Sequence, residues 1–412
     1  MKKALIISYH YGFSDSTGAL RPRAMMKYLP VCGWDTAVLT FNDCASDVQY
    51  DGDIIRVRDL TKKNSSWVRY YGWRIWQKSF RKLGVYRATQ GYWRDTALLH
   101  ADEIIAYVKP DLILATYPSI EALEIGLALS ERYDVPLVSD FRDGMLFEPV
   151  ESKALQLSCV DRYYRNIEKK VVQMSRMLLT VSSPISEYFR SSYHHPSVKT
   201  LYNGFDPDDM DLPSNEDVVL SNDVVNIVHT GRLSGSREGT NCDGLLGALV
   251  LLQDRFPSIL RKLKIHFVGL LTECEISAFA DFVALGVVVL WGHQPRARAL
   301  EFQKKADVLL LITAPGKKSV VTGKIFEYIM AKKMILALAK GTEAAVVVEE
   351  SGLGQVVSQT SACDIAEAIK EIVLDTAYKV MPQSECNIFQ FSRVEQMKDL
   401  ALALSGMVDH ES

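Results

Sequence analysis

The sequence predicts an α/β protein built from two doubly wound parallel sheets in tandem, and three observations carry that prediction. The chain has 412 residues, beyond the size at which one hydrophobic core keeps growing, so about two domains are expected. Short apolar, β-rich runs alternate with helical segments, the rhythm of parallel strands joined by crossover helices. That rhythm breaks once, after Asn203-Gly204-Phe205-Asp206-Pro207 and through an acidic stretch containing Pro and Asn that runs to Asp223, and then restarts.

In the first half, strands are expected at 4–8, 36–40, 54–57, 112–115, 136–139 and 177–181. In the second half they are expected at 225–229, 264–268, 287–290, 308–312, 334–338 and 354–357. The last segment, 391–404, carries Val394, Met397, Leu400, Ala401 and Leu404 at helical spacing and reads as an amphipathic helix. The expected organisation is therefore a first domain over 1–205, a linker over 206–223, a second domain over 224–385 and a C-terminal helical segment over 386–412. Open parallel sheets bind ligands at the carboxyl ends of their strands, so function is expected in the loops after those strands and in a cleft between two facing domains.

Composition narrows the class of partner. With 48% hydrophobic and 24% charged residues the chain can bury ordinary globular cores. A formal net charge of -3 gives a general nucleic-acid binder no electrostatic footing. The seven cysteines are scattered and form no CxxC pair, which fits a reducing compartment. After Met1-Lys2-Lys3 the apolar run 4–7 ends at Ser8-Tyr9-His10-Tyr11, too short for a signal peptide. No stretch approaches the roughly 18 apolar residues that span a bilayer. The expectation is a cytoplasmic chain, bound at most to a membrane surface.

The first chemical motif is His229-Thr230-Gly231-Arg232-Leu233-Ser234-Gly235-Ser236-Arg237-Glu238-Gly239, between an expected strand and a helical run beginning near Cys242. Glycines let a backbone approach a ligand closely, and a helix start offers unpaired N–H groups to an anion. Arg232 and Arg237 add fixed positive charge, and guanidinium groups make strong, often bidentate contacts with phosphate oxygens. Such a loop reads either as a diphosphate site or as a solvated turn.

The second motif is Thr322-Gly323-Lys324-Ile325-Phe326-Glu327-Tyr328, ahead of the strand at 334–338. Gly323 and Lys324 open a helix whose dipole, with the lysine, favours an anion. Glu327, one turn in, can accept two hydrogen bonds from vicinal hydroxyls such as those of a ribose. A surface glutamate that stabilises a helix start is the alternative reading.

These segments resemble the C-terminal domain of the retaining family-4 glycosyltransferases (glycosyl transferases group 1), which have the GT-B fold of two Rossmann-like domains facing each other across a cleft. The resemblance implies that Arg232 and Arg237 hold the donor diphosphate, with Gly231 at the strand exit and Thr322, Gly323 and Lys324 at the helix start. The family's second cation is usually Lys, so Arg237 keeps charge but not geometry. In the family's paired-glutamate motif, Glu327 matches the second, ribose-binding member. The first falls on Ser319, and no hexose contact is carried over from it. Lys324-Ile325-Phe326-Glu327-Tyr328 resembles a subgroup's version of the motif. Asn203-Gly204-Phe205-Asp206 resembles the interdomain element, and Trp291-Gly292-His293-Gln294 the loop that lines the nucleobase. His293 reads equally as a base contact through its backbone and as a loop histidine.

In the first half, Gly18 is similar to the glycine that approaches the sugar diphosphate. Arg21 and Arg23, near the following helix start, read either as contacts to an anionic acceptor or phosphate or as surface arginines. Ser139-Asp140-Phe141-Arg142-Asp143 opens from a strand end and resembles a segment common in the subgroup. Asp140 or Asp143 is placed to orient an acceptor hydroxyl, and an internal salt bridge with Arg142 is the competing reading. The histidine that the family often carries after the preceding strand is replaced by Thr116-Tyr117-Pro118-Ser119.

The segment 62–94 holds nine basic residues, no acids and four of the six tryptophans. Arg74, Lys78, Arg81 and Lys82 share one helical face, and Trp73, Trp76, Phe80 and Leu83 the other. Such a helix reads either as an interfacial element on anionic lipid, where each cation contributes about 1 kcal/mol, or as a core-packed helix with a solvated basic rim.

No metal-ligand spacing appears among the eight histidines. The expected activity is metal-independent, retaining transfer of a sugar from a nucleotide-diphosphate donor to a glycan or lipid-linked acceptor in surface polysaccharide biosynthesis. No cofactor is expected, and the donor is a UDP-sugar ahead of a GDP-sugar. A nucleotide-sugar epimerase of the same fold and a non-catalytic nucleotide-sugar binder are the rivals. A dinucleotide oxidoreductase is weaker, because the early glycines form no GxGxxG.

Overall fold

The computed structural model describes residues 1–13, 17–42, 46–59, 75, 90–148, 158–211, 218–233, 242–316, 318–319, 321–374 and 385–409. The chain divides into two units, one of Met1–Asn203 with Arg393–Ser412 and one of Gly204–Ser392.

The first unit holds eight strands: β1 Lys2–Ile7, β2 Trp34–Asn42, β3 Val48–Asp51, β4 Ile54–Arg58, β5 Leu112–Tyr117, β6 Leu137–Phe141, β7 Ser175–Thr180 and β8 Val198–Thr200. Their order is β3-β4-β2-β1-β5-β6-β7-β8. Every neighbouring pair is parallel except β3–β4. Side chains alternate along a strand, so this sheet builds two cores. Leu5, Ile7, Leu39, Ile113 and Leu137 join one, while Ala4, Ile6, Val38, Leu112 and Val138 join the other.

The terminal helix Arg393–Asp409 completes the second of these cores with Met397, Leu400, Ala401 and Leu404 beside Met25, Leu29 and Trp34. The Trp34 indole donates to Ser405 Oγ at 3.0 Å. The expected 386–412 segment is shared between the two units. Glu385–Phe389 stays with the second unit, and the chain from Arg393 onward belongs to the first because its apolar stripe is buried there. The expected linker 206–223 likewise falls within the second unit, where Val218 is buried.

The second unit has six strands, β9 Val225–Thr230, β10 Leu263–Val268, β11 Val288–Leu290, β12 Val308–Ile312, β13 Met334–Leu338 and β14 Gly354–Val357. They are all parallel, in the order β11-β10-β9-β12-β13-β14. The helices Asp243–Arg255 and Ala362–Leu374 pack on one face through Leu245, Leu249, Leu252, Ile365 and Ile369. Strand order reverses between β9 and β12, and at such a switch point the carboxyl ends of the strands leave a crevice for a ligand.

All twelve expected strands are present, with ends shifted by up to two residues. β3 and β8 were not expected. Both lie at sheet edges and are mostly half-buried or exposed, so neither carries the continuous apolar run that marks a strand covered on both faces.

Candidate functional site

At the end of β9 the chain turns through Gly231, whose φ of +84° lies in the left-handed region that favours glycine. Its amide donates to Val268 O at 2.7 Å, across the β9–β10 pair. A methyl group built on Gly231 would stand 2.8 Å from Lys324 Cε and 3.2 Å from its Nζ, so only hydrogen leaves room for that side chain.

Lys324 is the second residue of the helix Gly323–Met330, and its ammonium donates to Arg232 O at 2.9 Å and to His229 Nε2 at 3.2 Å. His229 is buried, and its Nδ1 lies 2.9 Å from Leu310 O. Burial, helped by Lys324, pushes the imidazole pKa down to about 3. The ring is therefore neutral, with Nδ1–H donated to the Leu310 carbonyl and the Nε2 lone pair accepting from the ammonium. Burial also pulls the Lys324 pKa down to about 8, against the opposing field of Glu327. Two of the three ammonium protons are taken by these contacts, which leaves one for an anion.

Thr322 precedes this helix in an extended conformation and makes no side-chain cap. The Ile325 N–H is taken by the Thr322 carbonyl at 3.2 Å, so the first-turn N–H groups left for an acceptor are those of Gly323 and Lys324. One turn on, Glu327 Oε1 lies 3.3 Å from Arg296 Nη2 and Oε2 lies 3.3 Å from Gln303 Nε2. Arg296 also pairs with Asp209 at 2.7 Å, and Gln303 donates to Thr230 Oγ1 at 2.9 Å. The Tyr328 hydroxyl accepts from Thr230 N at 3.0 Å, and burial pushes its pKa up to about 12. A cation, a bare helix start and a carboxylate accordingly share one end of the sheet, which is chemistry suited to a phosphorylated ligand with vicinal hydroxyls.

Of the residues singled out from sequence, Gly231, Thr322, Gly323, Lys324 and Glu327 assemble at this point, and Arg232 reaches it through its carbonyl. The Arg232 side chain is exposed and has no acidic partner among the described residues. Arg237 lies outside the described residues. His293 is exposed and follows Gly292, which has φ +64°. Reasoning from sequence missed Arg296, Gln303 and Asp209. The one available signal was the placement of Arg296 at the start of the helix Arg296–Lys305, directly after the loop 291–294.

In the first unit the arginines correct the expectation. Arg21 is not a surface residue but is 2% exposed, and its Nη1 lies 2.5 Å from Oδ1 of the wholly buried Asp140. Its Nη2 donates to Leu201 O, while Thr116 Oγ1 supplies Asp140 Oδ2 at 3.0 Å. Asp140 is thus paired with Arg21 and not with Arg142, because Arg142 stands past the end of β6 and turns elsewhere. Its Nε donates to Tyr117 O at 2.9 Å and its Nη1 to Gly18 O. Burial, with Arg21 nearby, pulls the Arg142 pKa down to about 10. Gly18 and Asp143 are therefore both in the neighbourhood of Arg142, the former through its carbonyl and the latter through its charge.

The basic segment 62–94 lies outside the described residues apart from residue 75 and residues 90–94. Within that remainder Trp93 is fully buried and Arg94 is paired with Glu124 and Asp95, each at 2.8 Å. Among the described residues no helix is long and apolar enough to cross a membrane.

No family model matches the chain, and no curated protein matches it in sequence. Solved structures match it in fold. HepE from Anabaena, in complex with UDP, is 16% identical at a TM-score of 0.62, with 98% of this chain and 100% of that chain covered. A glycosyltransferase from Rickettsia africae is 14% identical at a TM-score of 0.63, covering 100% and 99%. A putative UDP-N-acetylglucosamine 2-epimerase from Listeria monocytogenes is 13% identical at a TM-score of 0.59, covering 100% and 98%. At such identities the likeness establishes the fold, which is α/β of the GT-B class with two parallel-sheet domains.

Proposed function

We propose that the protein is a metal-independent retaining glycosyltransferase that moves a sugar from a nucleoside-diphosphate donor to a glycan or lipid-linked acceptor, in the synthesis of surface polysaccharide. The observation that carries the proposal is the seating of the Lys324 ammonium over Gly231, at a helix start that Thr322 leaves uncapped, with Glu327 one turn along. In this reading the donor's diphosphate sits on the first-turn N–H groups and takes the third proton of Lys324, with Arg232 and Arg237 closing over it. Glu327 accepts the ribose hydroxyls in place of Arg296, which keeps Asp209 as its partner.

Departure of a nucleoside diphosphate leaves an oxocarbenium-like sugar, so catalysis rests on holding the leaving charge and keeping an acceptor hydroxyl close. The bond from the anomeric carbon to the phosphate oxygen breaks as the bond to the acceptor oxygen forms on the same face. The acceptor's proton passes to the departing diphosphate. Gly18 belongs to the donor side. Arg21, Asp140, Arg142 and Asp143 are assigned to the acceptor, with Arg21, Asp140 and Arg142 buried and acting through the contacts that hold them. UDP is favoured over GDP, a choice supported by the UDP found on HepE. In this reading the enzyme works in the cytoplasm, and the basic and aromatic composition of 62–94 supports a seat at the inner face of the cell membrane.

A thermal-shift screen against UDP, GDP and ADP tests the donor site, since a ligand that binds only the native state raises its unfolding temperature. Transfer is then tested with the stabilising nucleotide's sugars and a pool of acceptors. The Listeria neighbour favours a second reading, a nucleotide-sugar epimerase. Incubation of the donor alone separates the two, because an epimerase alters it and a transferase leaves its sugar configuration intact. No shift with any of the three nucleotides would remove both readings.

A further inference from the structure

A polar relay crosses the interior of the second unit's sheet. His266, in β10, is buried among apolar strands and is hydrogen bonded at both ring nitrogens. Its Nε2 lies 3.1 Å from Asn226 Oδ1 in β9, and the Trp291 indole N–H lies 3.1 Å from its Nδ1. Asn226 in turn donates Nδ2 to Asp307 Oδ2 at 3.0 Å, to Ser221 O at 2.8 Å and to Val224 O at 3.2 Å. The Asn226 amide N–H meets the same Asp307 oxygen at 2.9 Å.

Only one assignment of protons satisfies these contacts. Three carbonyl or carboxylate oxygens surround Asn226 Nδ2, which turns Oδ1 toward His266. An amide oxygen accepts, so the imidazole proton is on Nε2 and the Nδ1 lone pair is left for the indole. A doubly protonated ring would set N–H against N–H at Trp291. Burial holds the ring in its neutral form, with a pKa down at about 4. The relay therefore runs in one sense, from Trp291 through His266 and Asn226 to the Asp307 carboxylate.

Unsatisfied polar groups inside a sheet are expensive, and a fully paired network fixes its members in place. What this one fixes is the loop that begins at Trp291. The indole ring packs on Phe302 at 4.8 Å, and the Arg298 guanidinium stands 5.9 Å from its centroid. Arg298 holds Gln294 Oε1 at 3.0 Å, and Gln294 Nε2 returns to Trp291 O at 2.7 Å. Gly292 and the exposed His293 are thereby carried between two anchored residues.

We propose that His266 is a positioning residue for donor binding. With Asn226 and Asp307 it sets the Trp291 indole, and through it the loop 291–294 that leads directly into Arg296, the partner of Glu327 at the donor site. The inference rests on the donor-site reading above. It adds that the loop is built before the ligand arrives, which lowers the ordering cost of binding.

The test uses the full chain with uridine diphosphate as probe and the indole 15N–1H resonances as a second readout. His266→Phe keeps an aromatic ring and removes both hydrogen bonds. His266→Asn puts an amide oxygen near the former Nδ1 and restores the acceptor. In the wild type the Trp291 indole proton is expected to exchange slowly with solvent, and in His266→Phe to exchange at least tenfold faster. Uridine diphosphate affinity in His266→Phe is expected to fall roughly tenfold, the loss that one hydrogen bond and a loosened loop produce. The donor KM should rise with it while kcat stays within about twofold, and His266→Asn should recover most of both.

Should His266→Phe fail to fold, Trp291→Phe removes the same indole donor from the outer end of the relay and should weaken binding alike. Unchanged indole exchange, or wild-type affinity in folded variants, would overturn the positioning role. A wild type that binds no nucleoside diphosphate would overturn the donor-site reading itself, with the indole signal still reporting whether the relay holds the loop.

Discussion

Replacing Gly231 with alanine puts both the backbone and the electrostatic parts of the site under load. At φ +84° an L side chain adds about 1–2 kcal/mol. The new methyl carbon would stand 2.8 Å from Lys324 Cε, closer than nonbonded carbons tolerate, and the flexible end of the lysine is what yields. Moving it gives up the hydrogen bonds to His229 Nε2 and Arg232 O, each with a net contribution of about 0.5–1.5 kcal/mol. The expected loss of stability is the sum, about 2–5 kcal/mol, or on the order of 10 °C in unfolding temperature for a unit of this size.

On the proposed donor reading, in which the Lys324 ammonium meets the diphosphate, displacing it should also weaken UDP binding by about 10- to 100-fold. Calorimetric unfolding and UDP titration of Gly231→Ala, Lys324→Met and the double variant form a cycle. Because both changes act through the same ammonium, the double variant should bind UDP no worse than Lys324→Met alone. Wild-type unfolding in Gly231→Ala would refute the steric argument. Additive losses of UDP affinity in the double variant would show that Lys324 is not the route by which Gly231 matters.

Three further outcomes follow from the same contacts. Because burial lowers the Lys324 pKa to about 8, the residue is a cation below that pH and loses its charge above it. The donor's kcat/KM, which reports the free enzyme, should therefore fall as pH rises through about 8 and stay flat in Lys324→Arg; a wild-type profile that is flat across this range would exclude the role. Asp140→Ala strands the buried Arg21 guanidinium and should lower stability by about 3–5 kcal/mol in denaturant unfolding, with Arg21→Met/Asp140→Leu recovering most of it; an unchanged midpoint in the single variant would contradict the buried pair. Glu327→Gln should weaken UDP binding by about tenfold and leave inorganic pyrophosphate unaffected. Equal losses for both ligands would mean that Glu327 acts on Lys324 rather than on the ribose.

The parts of this fold that were legible in the sequence are those where local pattern and burial coincide. Strands such as β12, Val308–Ile312, are covered on both faces and must be apolar throughout, so they announce themselves. The edge strands β3 and β8 have no such obligation and passed unseen. The same distinction holds at the site. Gly231, Lys324 and Glu327 were readable because a strand exit and a helix start are local features with fixed spacing. Arg296 and Gln303 were not, since their partners Glu327, Asp209 and Thr230 lie 24 to 87 positions away along the chain.

The first unit shows what local reading cannot do. The sequence placed Asp140 and Arg142 two residues apart and offered them to each other, but the sheet gave Asp140 to Arg21, 119 residues distant, and turned Arg142 to the carbonyls of Tyr117 and Gly18. In the second unit β10 and β9 lie side by side, with β12 on the other flank of β9, and so His266, Asn226 and Asp307 meet in a relay that no spacing announces. The sequence by itself determined the alternation of strands and helices, the two sheets and the glycine turn at Gly231, because each follows from hydrophobic period or backbone freedom. Which charged and polar groups share a bond was decided only by the tertiary structure, since strand order and side-chain facing arise from packing the whole chain and not from any short stretch of it.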